Sequence, residues 1–266
     1  MIIHQIWMQG ADNVPDTYRA YADRLRRLNP TYEYRLWSKE DLERACAEIG
    51  PRHLKAFRTC RFMHQQIDFG RYCIVYLHGG ITVDMDAEPL RPFDPLVARL
   101  PDHSLIVSQF PMNTLESSIL SLRPQHWWLN NATLISKRPG NPACRVLVDK
   151  VADRILASRW WTTVAPQSVV VSYTTGPMFF MHVFRDLLEP GTFIVLPYKY
   201  LEPCSGLHSS CKVPQDAILN HKHDGTWLSG FHTTILKGYF HATDSPMMFL
   251  AIVSIVSILV ALWRST

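Results

Sequence analysis

Through the first ninety residues, short apolar runs alternate with stretches whose apolar positions recur at helical spacing. Residues 2–7 (IIHQIW) are rich in β-branched and aromatic side chains and predict a strand that begins almost at the first residue. Residues 18–28 set Tyr18, Tyr21, Ala22, Leu25 and Leu28 on one side and Arg19, Asp23, Arg26 and Arg27 on the other, an amphipathic helix. Pro15 opens that helix and Asn29-Pro30 ends it. Residues 32–37 (YEYRLW) alternate as a second strand, and Ser38 before Lys39-Glu40-Asp41 is an N-cap for a helix reaching about Ile49. Residues 63–78 carry another helical pattern, with Met63, Ile67, Ile74 and Leu77 close to one apolar stripe. Gly79-Gly80 stops it, because glycine accepts the left-handed geometry of a helix end. Ile81-Thr82-Val83 then reads as a buried strand.

This strand–helix–strand–helix order is the opening of a nucleotide-binding α/β half. It brings Asp84-Met85-Asp86 to the C-terminal end of a strand, where open α/β sheets hold their ligands. Two carboxylates there make a hard oxygen site for Mg²⁺ or Mn²⁺, and for a phosphate held through that metal. Asp68 and Arg71, three apart, share a helix face and can address one ligand. Downstream, residues 90–96 form a proline-stiffened exit, 104–107 a strand, 125–136 (QHWWLNNATLIS) lead into a strand-like stretch, and 139–142 turn into a helix over 143–156. Residues 172–177 are a turn before an apolar helix over 178–188, and 193–196 are a late strand.

The Asp68-x-x-Arg71-Tyr72 helix, the Gly79-Gly80 turn and the strand ending in Asp84-x-Asp86 together resemble the core of glycosyltransferase family 32, the DXD sugar-binding group. That group includes fungal mannosyltransferases acting on outer-chain glycans and on inositol phosphorylceramide. The resemblance implies an α/β, GT-A-type nucleotide-sugar-binding domain with a mixed central sheet over residues 1–243, and a retaining transfer that needs Mn²⁺ or Mg²⁺. It implies roles residue by residue. Trp7 resembles the base-stacking tryptophan, and Asp68 and Arg71 would fix donor hydroxyls and phosphate. Asp86, helped by Asp84, would hold the metal. Asn131, which aligns better than Asn130, would meet sugar hydroxyls, and Gly176 of Thr175-Gly176-Pro177 would let backbone approach the sugar. Thr226 and Trp227 resemble the closing Ser-Trp contacts. His221, six before that tryptophan, corresponds to the family's metal-binding histidine better than His223 does.

Composition changes this picture little. At 266 residues the chain suits one catalytic α/β domain, and a scattered net charge of +4 with no basic run argues against a nucleic-acid partner. Six cysteines contain no C-x-x-C pair, so zinc is not expected; Cys73 reads as a buried thiol, and Cys204 and Cys211 could bridge a loop in an oxidising compartment. Asn131-Ala132-Thr133 is also a glycosylation sequon. No signal-peptide pattern opens the chain, whereas residues 247–263 run 17 positions without a charge, about 25 Å of helix. They predict one C-terminal transmembrane helix in an ER- or Golgi-type membrane, with the catalytic domain on the cytosolic face.

The function expected is therefore a metal-dependent hexosyltransferase with a nucleotide-sugar donor and a glycan or membrane glycolipid acceptor. Mannose from GDP-mannose is favoured because the relatives acting on sphingolipid also span membranes; a UDP-sugar is the rival. A haloacid-dehalogenase-like phosphotransferase is the alternative enzyme, though Glu88 stands where that motif carries Thr or Val. A catalytically dead, membrane-anchored sugar-binding module is the non-enzymatic alternative, opposed by intact Asp68, Arg71, Asp84 and Asp86.

Overall fold

The computed structural model describes residues 1–110, 128–157, 160–189, 191–204 and 211–224. Its centre is a six-stranded mixed sheet in the order β2-β1-β3-β6-β5-β7. Strands β1 (Ile2–Ile6), β2 (Glu33–Trp37) and β3 (Gly80–Thr82) run parallel, with Ile3 opposite both Tyr34 and Ile81. Antiparallel to β3 lies β6 (Leu129–Ser136), which pairs in turn with β5 (Leu105–Gln109), and β7 (Phe193–Leu196) closes the edge parallel to β5. A second, two-stranded sheet pairs β4 (Ala87–Pro89) with β8 (Leu219–His221). The mixed sheet, its strand–helix opening and the ligand end of its parallel half agree with the GT-A-type expectation.

Alternation along the strands builds a core on each face. Leu105 and Val107 point to one side with Leu134, among the helices; Ile106 points to the other with Ile3, Ile81 and Ile135. The helical side holds α2 (Lys39–Ile49), α3 (Pro51–Thr59) and α4 (Met63–His78), with the later helices Pro142–Leu156 and Pro177–Asp186. The N-cap at Ser38 forms as expected. Its hydroxyl accepts from the Asp41 amide, and the Asp41 carboxylate accepts from the Ser38 amide at 2.9 Å. The amphipathic helix α1 (Asp16–Leu28) covers the opposite face through buried Ala22 and Leu25.

Two expectations need correction, and one helix is added. α4 has no single apolar stripe: Phe69, Tyr72, Cys73, Ile74 and Val75 are buried all round it, while Met63 is 39% exposed. The reason is position, since α4 is enclosed by α2, the Pro142–Leu156 helix and the sheet. Gly70 belongs to that packing, because a Cβ there would come within 2.6 Å of Leu42 Cδ1 on α2. Residues 172–174 end a helix, Gln167–Thr174, and the turn shrinks to Thr175-Gly176. The helix α3 went unread in the sequence; Pro51 supplies its first turn, where no N–H is needed. Cys73 is buried as expected, its sulfur 3.4 Å from that of Cys46, and Cys204 is bonded to Cys211.

The α4–β3 turn is locked from β1. His4 lies between Gly79 O (2.9 Å from Nε2) and Trp37 Nε1 (3.1 Å from Nδ1), and burial lowers its pKa to about 4. Gly79 and Gly80 have φ 64° and 91°. A Cβ on Gly80 would collide with the Ile2 carbonyl oxygen and the His4 ring. Gly80→Ala is therefore expected to cost about 3 kcal/mol in urea unfolding, backbone strain adding to overpacking. Gly140→Ala, at φ 74° with no atom near its missing Cβ, should cost about 1 kcal/mol.

Candidate active site

The polar residues of α4 fall at i, i+3 and i+4, so one face of a buried helix is hydrophilic. Gln65 accepts from the Arg61 and Phe62 amides at 3.0 Å each, capping the helix, and its amide nitrogen reaches the Thr174 hydroxyl at 2.8 Å. One turn on, Asp68 Oδ1 accepts from Asn131 Nδ2 at 2.8 Å and Oδ2 accepts from the Thr175 hydroxyl at 3.0 Å. Asn131 Nδ2 also donates to the Tyr72 oxygen (3.0 Å), which donates to Thr175 O at 2.7 Å. Arg71 donates to the Asn131 carbonyl and forms an ion pair with Asp84 Oδ1. Helix α4, strand β6 and the Thr175-Gly176 turn thus meet at one buried polar seam.

Asp84 and Asp86 lie just past β3. The Asp84 backbone oxygen accepts from Gln5 Nε2 at 3.3 Å, and Gln5 is itself fixed by the Tyr34 hydroxyl at 2.9 Å. Asp84 Oδ1 faces Arg71, so its Oδ2 is the oxygen turned toward His221 Nε2, 3.8 Å away. His221 arrives through the small sheet, where it stands opposite Ala87. Its Nε2 is 3.0 Å from Asp86 Oδ1. The strand leaves over the site: the Lys222 amide donates to Asp86 O at 3.1 Å and the Asp224 amide to Asp86 Oδ2 at 3.0 Å. Tyr18 of α1 donates to Asp224 Oδ2 at 2.5 Å, so α1 braces that return.

On the far side of His221, Nδ1 is 3.0 Å from Oε2 of Glu202, which follows the short helix Tyr198–Leu201 and is fully buried. His223, at φ 53°, brings Nε2 to 3.0 Å from the same oxygen without hydrogen-bond alignment. The two imidazole rings lie 3.9 Å apart at 30°.

These contacts set the charges. Burial opposes ionisation of His221, but Glu202 and Asp86 outweigh it and hold the imidazole well above its ordinary pKa. Burial would raise Asp86 and Glu202; the hydrogen bond and charge of His221 outweigh it, pulling Asp86 far down and Glu202 to about 2. Asp84 is raised, burial exceeding the pull of Arg71 and His221. Asp68 is pushed up to about 6 by burial, which the Arg71 charge and the Thr175 and Asn131 hydrogen bonds only partly offset. Four carboxylates face one guanidinium and one imidazolium, an acidic cluster suited to a cation. Asp84, Asp86 and His221 offer ligand atoms within 4.8 Å of one another, and one imidazole with two carboxylates suits Mn²⁺ or Mg²⁺.

Of the residues singled out from sequence, Asp68, Arg71, Asp84, Asp86, Asn131, Gly176 and His221 converge here. Gly176 packs over Asp68, its missing Cβ 3.4 Å from Oδ2. Asn131 spends its amide nitrogen on Asp68 and Tyr72, which also removes the sequon from any glycosylating enzyme in the folded protein. Trp7 sits at the end of β1, half-buried, its Nε1 bonded to Asn13 O at 3.0 Å and its ring edge-on to Tyr18. Thr226 and Trp227 lie outside the described residues, as does the apolar run 247–263; among the described residues no helix is long and apolar enough to cross a membrane. Glu202 was missed, because a single Glu before Pro203-Cys204 carries no local signal. Thr175, Tyr72 and Tyr18 were placed in motifs or on core faces without their polar contacts.

Residues 15–102 match the model of the glycosyltransferase sugar-binding region containing the DXD motif. An uncharacterised glycosyltransferase of Acanthamoeba polyphaga mimivirus is 33% identical over 86 residues, 32% of this chain and 34% of that protein. Inositol phosphoceramide mannosyltransferase 3 of Schizosaccharomyces pombe is 32% identical over 96 residues, 36% of this chain and 26% of that one. The chain thus aligns with only about a third or less of these relatives' length. Mouse xyloside xylosyltransferase 1 superposes with a TM-score of 0.48 at 10% identity, over 85% of this chain and 99% of that structure.

The raised Asp68 gives a pH signature. Between about pH 4 and about 6 the unfolded chain has already released this proton while the folded protein keeps it, so stability falls as pH rises through that window. Asp68→Asn has no proton to lose. Urea unfolding at intervals from pH 4 to about 6.5 should show the parent losing stability relative to Asp68→Asn; a constant difference would show that Asp68 titrates normally.

Proposed function

We propose that this chain is a metal-dependent, retaining glycosyltransferase that moves a sugar from a nucleotide-sugar donor to a glycan or membrane glycolipid acceptor. The observation that carries the reading is the convergence of Asp84, Asp86 and His221 at the end of β3, beside the buried Asp68–Arg71 pair. Mannose from GDP-mannose is the favoured donor and a UDP-sugar the rival. This choice leans on the names of relatives, which include inositol phosphoceramide mannosyltransferases and initiation-specific α-1,6-mannosyltransferases. An acceptor such as inositol phosphorylceramide, with residues 247–263 as a membrane anchor, completes the proposal.

Asp86, Asp84 through Oδ2, and His221 through Nε2 would hold Mn²⁺ or Mg²⁺. The ion, when bound, neutralises the diphosphate as it leaves, acting as a Lewis acid. Arg71 keeps Asp84 Oδ1 turned away, so that carboxylate presents one oxygen in one direction. Asp68 is oriented by Asn131 and Thr175, and with Arg71 it is suited to hold donor hydroxyls and phosphate. Trp7 would stack on the base, and Thr226 and Trp227 would meet the diphosphate or sugar. Each carboxylate of the cluster already has a partner among the described residues, which favours front-face transfer over a covalent glycosyl intermediate. Closure of the sheet end by the Asp224–Asp86 and Tyr18–Asp224 bonds would help keep water from the donor.

The direct test is release of nucleoside diphosphate from a panel of nucleotide sugars with Mn²⁺, with and without chelator. GDP-mannose turnover that chelator abolishes is the expected outcome; phosphate release from simple phosphomonoesters would instead favour the phosphotransferase. Asp86→Asn should stay folded and lose at least about a hundredfold in turnover, ~2.7 kcal/mol of barrier. Activity within about tenfold of the parent would remove the metal role. The imidazole must lose its proton to bind an ion, so Mn²⁺ uptake by the parent near pH 7 should release a proton, read by calorimetry in buffers of different ionisation enthalpy. His221→Ala should abolish that release and raise the Mn²⁺ needed for half activity far more than His223→Ala. Equal effects of the two would mean that the ligand has been misassigned.

A further inference from the structure

Glu202 is the most deeply buried carboxylate of the cluster, fully enclosed, yet it is turned away from Asp84 and Asp86. Both its oxygens face the imidazole Nδ1 of His221, at 3.2 and 3.0 Å, while Nε2 on the opposite edge of the ring faces Asp86 at 3.0 Å and Asp84 at 3.8 Å. A carboxylate on one ring nitrogen and a cation site on the other is the arrangement that fixes a ligating histidine's tautomer and orientation. The surroundings hold Glu202 still. Its amide donates to Tyr198 O at 2.8 Å, closing the short helix, and Cys204 two residues on is tied to Cys211. Strand β8, which carries His221, is hung on the same helix through the Ile218 amide bonded to Tyr200 O at 2.8 Å. One rigid unit therefore carries both the carboxylate and the histidine.

We infer that Glu202 is the positioning residue of the cation site: it accepts the Nδ1 proton of His221, so that the Nε2 lone pair points at the space shared with Asp84 and Asp86. Glu202 itself does not touch the ion. His223, 3.0 Å from the same Glu202 oxygen, adds a second polar neighbour that helps to compensate a carboxylate with no access to water. This inference rests on the metal reading of the site. It goes further in assigning Glu202, on an element remote in sequence from the motif, a share of the metal affinity.

The full chain is titrated with MnCl₂ by calorimetry, and the His221 tautomer is read by long-range ¹H–¹⁵N spectra of the Mg²⁺-loaded protein, assigned against His221→Ala. The parent should bind one Mn²⁺ with His221 protonated at Nδ1. Glu202→Gln, still an acceptor but uncharged, should weaken Mn²⁺ about tenfold, and Glu202→Ala about a hundredfold with loss of the single tautomer. Glu202→Asp should recover part of the affinity. A folded Glu202→Gln and Glu202→Ala that bind Mn²⁺ like the parent would overturn the inference. Two Mn²⁺ per parent chain, one of them lost in Glu202→Gln, would overturn it too, making Glu202 a direct ligand with His221 and His223. Should the variants fail to fold, the parent spectrum decides alone, since a proton on Nε2 contradicts the assignment. A parent that binds no Mn²⁺ ends the metal reading itself, an outcome distinct from equal binding by parent and variants.

Discussion

A guanidinium almost wholly removed from water is the constraint around which this structure is arranged. Arg71 is 4% exposed, and an ion so enclosed is tolerated only with close, well-directed partners. It finds Asp84 at the end of β3 and the Asn131 carbonyl on β6, with Asp68 one turn back on its own helix. A planar fork with donors on two nitrogens can serve both partners at once, a task unsuited to the single ammonium of lysine. The pairing fixes helix α4 relative to the middle of the sheet. It also leaves Asp84 with one oxygen for the site, so a contact made for charge compensation becomes a feature of the chemistry.

The remaining geometry follows from two close approaches. Gly70 lets α2 press on α4, and Gly79-Gly80 lets the chain turn under His4 into β3. With helix and strand so fixed, the acidic pair projects at the sheet's ligand end. The β4–β8 ladder then brings His221 opposite Ala87, next to Asp86. Asp68, Asp84, Asp86 and Glu202 together would repel one another without Arg71 and His221 among them. The protonated imidazole therefore contributes to the protein's stability, and under the proposed function the same ring would serve as a metal ligand. An arriving cation would replace that proton, linking metal affinity to pH.

How much of this was legible beforehand depends on the range of the interaction. The Ser38 N-cap, the stop at Gly79, the strands β1, β2 and β5 and the Asp-x-Asp at a strand end involve neighbours a few residues apart, and all stand where the sequence put them. The seven site residues that converge were chosen partly by resemblance to a family; spacing alone marked only Asp68, Arg71, Asp84 and Asp86. The failures have a common cause. The apolar stripe on α4 dissolved because that helix is surrounded, and periodicity describes a helix with one wet side. Residues 172–174 read as part of a turn, yet Gln65 and Asp68 supply the Thr174 and Thr175 hydroxyls with partners that no local pattern displays.

By itself the sequence determined the α/β alternation, the place of the acidic pair at the end of a strand, and the helix that carries Asp68 and Arg71, because backbone geometry and side-chain period act over one or two turns. Only the tertiary structure decided that Asn131 orients Asp68, that Arg71 claims one oxygen of Asp84, and that Glu202 stands behind His221. Those contacts join residues 13 to 63 positions apart, with hydrogen bonds whose strength depends on burial. Burial is a property of the assembled layers, so the partner of a buried charge is chosen only when the layers close.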